Sequence, residues 1–500
     1  MTQAAPARPK AASGIRPAPL PARPLWLLLC YGAVYFVLRL AVGGTLERDE
    51  AEIVYLVQDL RPGYGPQPPL YAWLQWLAFR IFGLNWFGLL VLKDALLMGS
   101  YFAMARAARP LVGPRAALAA AAALALFPQI GWEGPRIQTH SVLVVTLSCA
   151  TLWCYVALLG KASLPRHAML GLLCGLGLQA KYNYGFLLAG LAAASLLVPE
   201  HRRALWTRGM ALTVLVAVLA LLPHVAWVAH HPDAAFGGTV SKMRDGMPDG
   251  GYGGHVMLGM WNVLQAAIVF ALLPLAALAV AAWPLRRVVR VDPHPPASRC
   301  FLWLYATSLL LLLGVAFSGQ VGTIKDRWMI PVLFHLPLGA CVQVPALRMP
   351  RVTRRLWRIA VVFAFACLAA LPLRVLLGAL AGRVTTVHHP YLALARAVDE
   401  HCPAAQAIVT ESLLTAGNLR FARPAWRAVL LDADAGPGPP LAGRVALVTH
   451  ADAWAGWQGR FHAAYPAAVP GRQARIALPL GLGARGTMAF AFACARLPAP

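Results

Sequence analysis

Apolar runs of about 17 to 22 residues recur along the chain from Leu25 onward, separated by short polar connections. Each is long enough to cross a hydrocarbon core of roughly 30 Å as a helix. The pattern predicts spans at 25–43, 86–105, 116–130, 141–160, 168–180, 183–198, 210–228, 260–283, 300–316, 328–347 and 359–379. That makes eleven, with room for up to thirteen, because the third, fifth and sixth are short and 168–198 reads equally as one long or broken element. Beyond residue 380 the pattern changes. Short runs at Ala407 to Thr410, Ala428 to Leu431, Val445 to Thr449 and Arg475 to Leu480 alternate with Pro/Gly-rich turns, which predicts a small α/β domain over 380–500. The expected fold is an all-α polytopic membrane protein over 25–379 with an outer loop at 44–85, preceded by a disordered segment at 1–24.

Composition agrees, with 59% hydrophobic and 13% charged residues, and excludes an ordinary soluble chain. The formal charge of +25 would suit a nucleic-acid binder, so the placement of Lys and Arg decides. They fall in alternate connections: Arg8 to Arg23, Arg106 to Arg115, Lys161 and Arg166, Arg202 to Arg208, Arg286 to Arg299, and Arg348 to Arg358. This is the positive-inside pattern of a multi-pass inner-membrane protein. It puts the N-terminus in the cytoplasm and leaves 44–85, 131–140, the 181 region, 229–259, 317–327 and the 380–500 domain on the periplasmic side. Nucleic acid is not an expected partner. The first apolar run lacks a convincing cleavage site and reads as a retained anchor. Nine cysteines form no CxxC or Cys/His box. Cys402 and Cys494 alone lie in the exported tail, where a bridge and two free thiols are both open readings.

The acidic residues carry the first chemical signal. Of nineteen, Glu47, Asp49, Glu50, Glu52 and Asp59 fall within thirteen positions directly after the first span. A solvated face is the ordinary alternative. The loop continues as Gly63-Tyr64-Gly65-Pro66-Gln67-Pro68-Pro69-Leu70-Tyr71-Ala72-Trp73. A transmembrane helix, then Asp49-Glu50-Ala51, then a Pro-Pro-Leu segment about twenty residues on resembles the protein mannosyltransferase and aminoarabinose transferase superfamily of C-type glycosyltransferases, most strongly at 47–76.

The resemblance implies an inverting transfer of one sugar from a polyprenyl-phosphate carrier to an exported acceptor: lipid A, another glycolipid, an envelope polysaccharide or a protein. It implies that the acidic pair Asp49 and Glu50 is catalytic, with Asp49 as the general base that strips the acceptor hydroxyl. Glu52 lies at i+3 from Asp49, where it can share a face and perturb its titration. Gln67, Pro68 and Pro69 are substrate-binding candidates by the same likeness. Many relatives carry a second aspartate in the second outer loop, but this chain has His140 there, with Glu133 as the nearby carboxylate. A divalent metal held by Asp49 and His140 and a metal-free site both stay open, as does a simple helix-start histidine.

A departing lipid phosphate needs cations. Lys181 and Tyr182 match the family's Ser-Lys-Tyr segment, although plain snorkelling of the lysine is an alternative. Lys325 and Arg327 match its Lys-x-Arg segment, with Asp326 expected to pair one of them. Lys93 and Asp94, inside the second span, read as a pair of their own. The 229–259 loop, with Lys242, is long enough for a lid. A transporter or flippase of lipid-linked intermediates is the competing class, which would show paired half-sequences and midplane charges. A transferase-like scaffold that has lost activity is the third.

Overall fold

The computed structural model describes residues 22–247, 249–287, 290–431 and 441–498. The expected disordered segment at 1–24 lies almost wholly outside these residues.

Helix α1 (Ala22–Val42) leads into a short helix, α2 (Arg48–Leu56), then α3 (Leu70–Phe82) and the long α4 (Trp86–Val112). Six helices among the described residues are long and apolar enough to cross a membrane: Trp86–Val112, His140–Gly160, Arg208–His230, Tyr252–Leu285, Pro296–Phe317 and Pro350–Leu380. Two bent pairs raise this to eight. Pro114–Leu126 with Pro128–Arg136 bends by 81°, and Tyr182–Leu197 with Pro199–Leu205 by 105°. On this measure the expected eleven spans are too many. Only Trp26–Val42 of α1 is a short apolar helix, Leu164–Ala180 has 17 residues, and the predicted 328–347 span is broken into Asp326–Met329, Ile330–Leu333 and Leu336–Gln343. Pro331 and Pro337 at the starts of the last two pieces account for the breaks.

Small residues let the helices approach closely. Leu164–Ala180 meets Arg208–His230 at Gly171 and Gly175, where a Cβ would stand 2.2 Å from the Thr213 carbonyl and 2.8 Å from that of Ala217. This is the small-xxx-small contact of helices in lipid. The alanine run 116–122 is buried throughout.

The C-terminal unit holds a five-stranded sheet in the order β2-β1-β3-β5-β4. Its strands are β1 (Ala407–Thr410), β2 (Arg427–Leu430), β3 (Gly443–His450), β4 (Val469–Pro479) and β5 (Thr487–Leu497). β1 runs parallel to β2 and β3, and β5 is antiparallel to β3 and β4. Side chains alternate between two cores. Ile408, Ala446, Phe490 and Phe492 pack on one face with the Tyr391–His401 and Leu413–Ala422 helices. Val409, Leu447, Ala491 and Ala493 pack on the other with Trp454–Ala464. β5 is not among the expected strands, because its run of Ala, Phe and Cys carries no turn signal of its own.

Cys402 and Cys494 are bridged, with their Cα atoms 5.4 Å apart and a sequence separation of 92. In the chain-entropy view, closing so long a loop is worth about 4 to 5 kcal/mol. We expect denatured, unreduced protein to expose the seven cysteines that are free in the structure, and reduction to expose two more. Thiol labelling followed by mass spectrometry checks this, and nine reactive thiols before reduction would remove the bridge.

Candidate active site

Asp49 sits in the first turn of α2. The helix starts there because Glu47 and Glu50 form a reciprocal capping box, the Glu47 side chain taking the Glu50 amide and Glu50 Oε2 accepting from the Glu47 amide at 3.1 Å. Glu47 is held from outside the helix, since its Oε1 accepts from Arg136 Nη1 at 3.0 Å and from Arg374 Nη2 at 2.9 Å.

Glu50, expected beside Asp49 as catalytic, is instead fully buried. Its two oxygens accept from Arg39 Nη2 and Lys93 Nζ, both at 2.8 Å. Burial alone would raise its titration, but the two cations outweigh that and hold the carboxyl below its usual range. Lys93 therefore pairs with Glu50, 43 residues away in sequence, and not with its neighbour Asp94.

Asp49 points the other way. Its Oδ2 accepts from Arg327 Nη1 at 2.9 Å across 278 residues of sequence, and both side chains keep partial exposure. Its Oδ1 is not the oxygen that Arg327 engages. Glu52, one turn on, has its carboxyl pushed up by burial and by the Asp49 charge. Asp326, expected to pair Lys325 or Arg327, instead accepts from the Arg327 amide at 2.8 Å and from the Gln129 side chain, which leaves both cations free of it.

Arg327 stands between two cavities. The first, about 330 Å³, is lined by Gln67, Lys181, Lys242, Lys325 and Arg327 together with apolar groups such as Phe186, Leu312, Val315 and Val332. The second, about 520 Å³, is lined by Glu133, Asn262, Gln265, Thr323, Lys325 and Arg327. Thus Ile324, Lys325 and Arg327 form a shared wall.

Lys181 lies at the break between Leu164–Ala180 and the following helix, and its ammonium donates to Ser141 Oγ at 3.0 Å. Burial, helped by the Arg327 charge, pushes its pKa down to about 7. Lys325 is lowered for the same two reasons, burial first. Tyr182 lines the first cavity and its hydroxyl donates to His224 Nε2 at 3.0 Å, while His224 Nδ1 donates to the Pro62 carbonyl at 2.8 Å. That chain ties the Gln67-Pro68 loop to the wall opposite.

Other expected residues stand differently. Pro68 lines the cavity, but Pro69 serves as the N-cap of α3 and does not. His140 is buried with its ring centroid 5.3 Å from that of Tyr71, and its Nε2 has no hydrogen-bond partner among the described residues. Glu133 accepts from Gln138 Nε2 at 2.8 Å and faces the second cavity. Among the described residues no three His, Cys, Asp or Glu side chains converge on a metal position, so Asp49 and His140 lack a third donor of these types. Sequence alone does not single out Asn262, Gln265 or Ser141, uncharged polar residues within apolar helices.

The family of the chain is shown by its relatives. Residues 66–227 match the family described as dolichyl-phosphate-mannose-protein mannosyltransferase. The chain is 33% identical over 402 residues to the lipopolysaccharide core galacturonosyltransferase RgtB of Rhizobium johnstonii, covering 78% of this chain and 79% of that one. It is 31% identical over 425 residues to RgtA of the same organism, another lipopolysaccharide core galacturonosyltransferase, with 83% of each chain covered. In fold it resembles the crystal structure of ArnT from Cupriavidus metallidurans bound to undecaprenyl phosphate, with a TM-score of 0.58, 13% identity and coverage of 94% and 98%.

Proposed function

Because the chain belongs to the protein mannosyltransferase and aminoarabinose transferase superfamily of C-type glycosyltransferases, we propose that it moves a uronic acid, galacturonate by its likeness to RgtA and RgtB, from a polyprenyl-phosphate donor to the core sugars of a lipopolysaccharide-type glycolipid. One observation carries the reading: Arg327 lines both cavities and its guanidinium pairs with Asp49.

The first cavity suits the donor. Its apolar side chains suit prenyl units, and Lys181, Lys325 and Arg327 suit the phosphodiester. The polar second cavity suits the acceptor sugar. Asp49 Oδ1 takes the proton of the acceptor hydroxyl as its oxygen bonds to the anomeric carbon from the face opposite the phosphate. The bond from that carbon to the phosphate oxygen breaks, its electron pair leaves with polyprenyl phosphate, and the three cations neutralise the added charge. A single displacement of this kind inverts the anomeric centre. The charge pattern of the connections supports a catalytic face on the periplasmic side.

The test offers purified protein labelled polyprenyl-phosphate galacturonate and core lipopolysaccharide, with a polyprenyl-phosphate neutral hexose in parallel. Labelled lipopolysaccharide from the uronate is expected. No transfer from either donor would remove the assignment, and equal transfer from both would remove the uronate preference.

Lys181 adds a pH dependence. A group whose pKa lies near 7 is charged below that pH and loses its proton above it. Affinity for polyprenyl phosphate should therefore fall as pH rises through about 7, by up to about tenfold per unit. Lys181→Met should weaken binding and flatten that slope. Titration between about pH 6 and 9 reads both, and a level wild-type affinity would take Lys181 off the phosphate.

A further inference from the structure

The rear of α2 is in the grip of the C-terminal unit. At about 100° per residue, Ala51 lies roughly 200° round the helix from Asp49, on the opposite side. There it meets the Leu413–Ala422 helix at Gly417, where a Cβ would stand 2.2 Å from the Ala51 carbonyl oxygen and 2.6 Å from its Cα. Backbone lies directly on backbone. One residue on, Asn418 reads the chain entering α2 with both ends of its amide. Its Oδ1 accepts from the Leu46 amide at 2.8 Å, and its Nδ2 donates to the Leu46 carbonyl at 3.2 Å, with both residues buried.

The far end of α2 is held by the same unit. Arg420 Nη1 donates to the Val54 carbonyl at 2.6 Å. Gln58 pairs with β2, the edge strand, its Oε1 accepting from the Ala428 amide at 2.7 Å and its Nε2 donating to the Ala428 carbonyl at 3.0 Å. Thr45, before the helix, donates to the His389 carbonyl at 2.6 Å. These contacts run between residues at least 344 apart in sequence. From the other side, Arg39 and Lys93 hold Glu50, and Arg327 holds Asp49. The catalytic helix is clamped between the membrane helices and the C-terminal unit.

We propose that the C-terminal unit sets the distance of Asp49 from the reacting centre, with Gly417 and Asn418 as positioning residues that touch no substrate. The proposal rests on Asp49 as the base. A methyl group at 417 cannot fit without moving α2 by about 1 Å, and a displacement of that size costs about 100-fold in rate. The phosphate-binding cations lie on other elements and would stay in place.

Gly417→Ala and Asn418→Leu in the full-length protein test this, with Asp49→Asn alone and combined with each. Gly417→Ala should lower kcat about 100-fold, and Asn418→Leu in the same direction. Polyprenyl phosphate should bind with wild-type affinity and wild-type stoichiometry in both. In the Asp49→Asn background neither substitution should lower the residual rate further, because what it displaces no longer works. If both lower the Asp49→Asn rate by the same factor as the wild-type rate, they act through the fraction of folded protein and the proposal falls. It falls also if both leave kcat at the wild-type value. Should Gly417→Ala not fold, Asn418→Leu and Gln58→Leu carry the same comparison. An Asp49→Asn protein with wild-type turnover would instead sink the assignment of the base, a separate outcome.

Discussion

Asp49→Asn should lower kcat by about 100- to 10,000-fold, the usual contribution of a general base, while the protein still folds and binds polyprenyl phosphate. The amide keeps the shape of the carboxylate, and its oxygen can still accept from Arg327, whose guanidinium lies 2.9 Å from Oδ2. What it cannot do is take a proton. Donor affinity should hold because Lys181 and Lys325 are untouched and Arg327 keeps its place in the cavity lining. A turnover assay alongside polyprenyl phosphate binding checks both halves. More than half of wild-type turnover would take Asp49 out of the chemistry.

Glu50→Gln should act on stability. Its carboxylate neutralises Arg39 and Lys93, whose side chains are 3% and 1% exposed, and is itself wholly buried. Removing one partner of a buried ionic cluster typically costs about 3 to 5 kcal/mol, because the remaining charges stay desolvated without compensation. The Gln side chain keeps the volume, so packing loss adds little. The capping box with Glu47 weakens as well, since an amide oxygen is a poorer acceptor than a carboxylate. A large drop in thermal midpoint and in yield of monodisperse protein is expected. A Glu50→Gln protein that melts like wild type and is inactive would return Glu50 to the catalytic pair.

These two adjacent carboxylates show how far the sequence can be read. The cluster after the first span, the Pro-Pro-Leu segment, Lys181 and the Lys325 to Arg327 segment are all visible as polar residues at the ends of apolar runs, and in the structure several of them meet around Arg327. That Asp49 and Glu50 take different partners is not visible. It depends on partners 278 and 43 residues away, and periodicity says nothing about such contacts. The Glu47-x-x-Glu50 spacing is a readable clue, because a carboxylate at the third position of a helix that begins with a capping residue is drawn back to the backbone.

Span counting meets a related limit. Hydropathy sums over a window and is blind to a bend, so 114–136 and 182–205 are apolar enough to score as spans although each is bent. Lys181 and Arg327 lie in short non-α stretches between apolar helices, Lys181 after Leu164–Ala180 and Arg327 in Asp326–Met329. The grip of Asn418 on Leu46 cannot be read at all, since a buried Asn in an ordinary amphipathic helix has no sequence signature.

The anomeric configuration of the transferred sugar tests the central claim most directly. Purified wild-type protein would be offered a polyprenyl-phosphate galacturonate of known configuration, and the new glycosidic linkage read by NMR. Direct attack by a hydroxyl deprotonated by Asp49 predicts one displacement and therefore the opposite configuration in the product. Retention of the donor's configuration would require two displacements through a covalent glycosyl intermediate, and would contradict the role of Asp49 as general base in a single displacement.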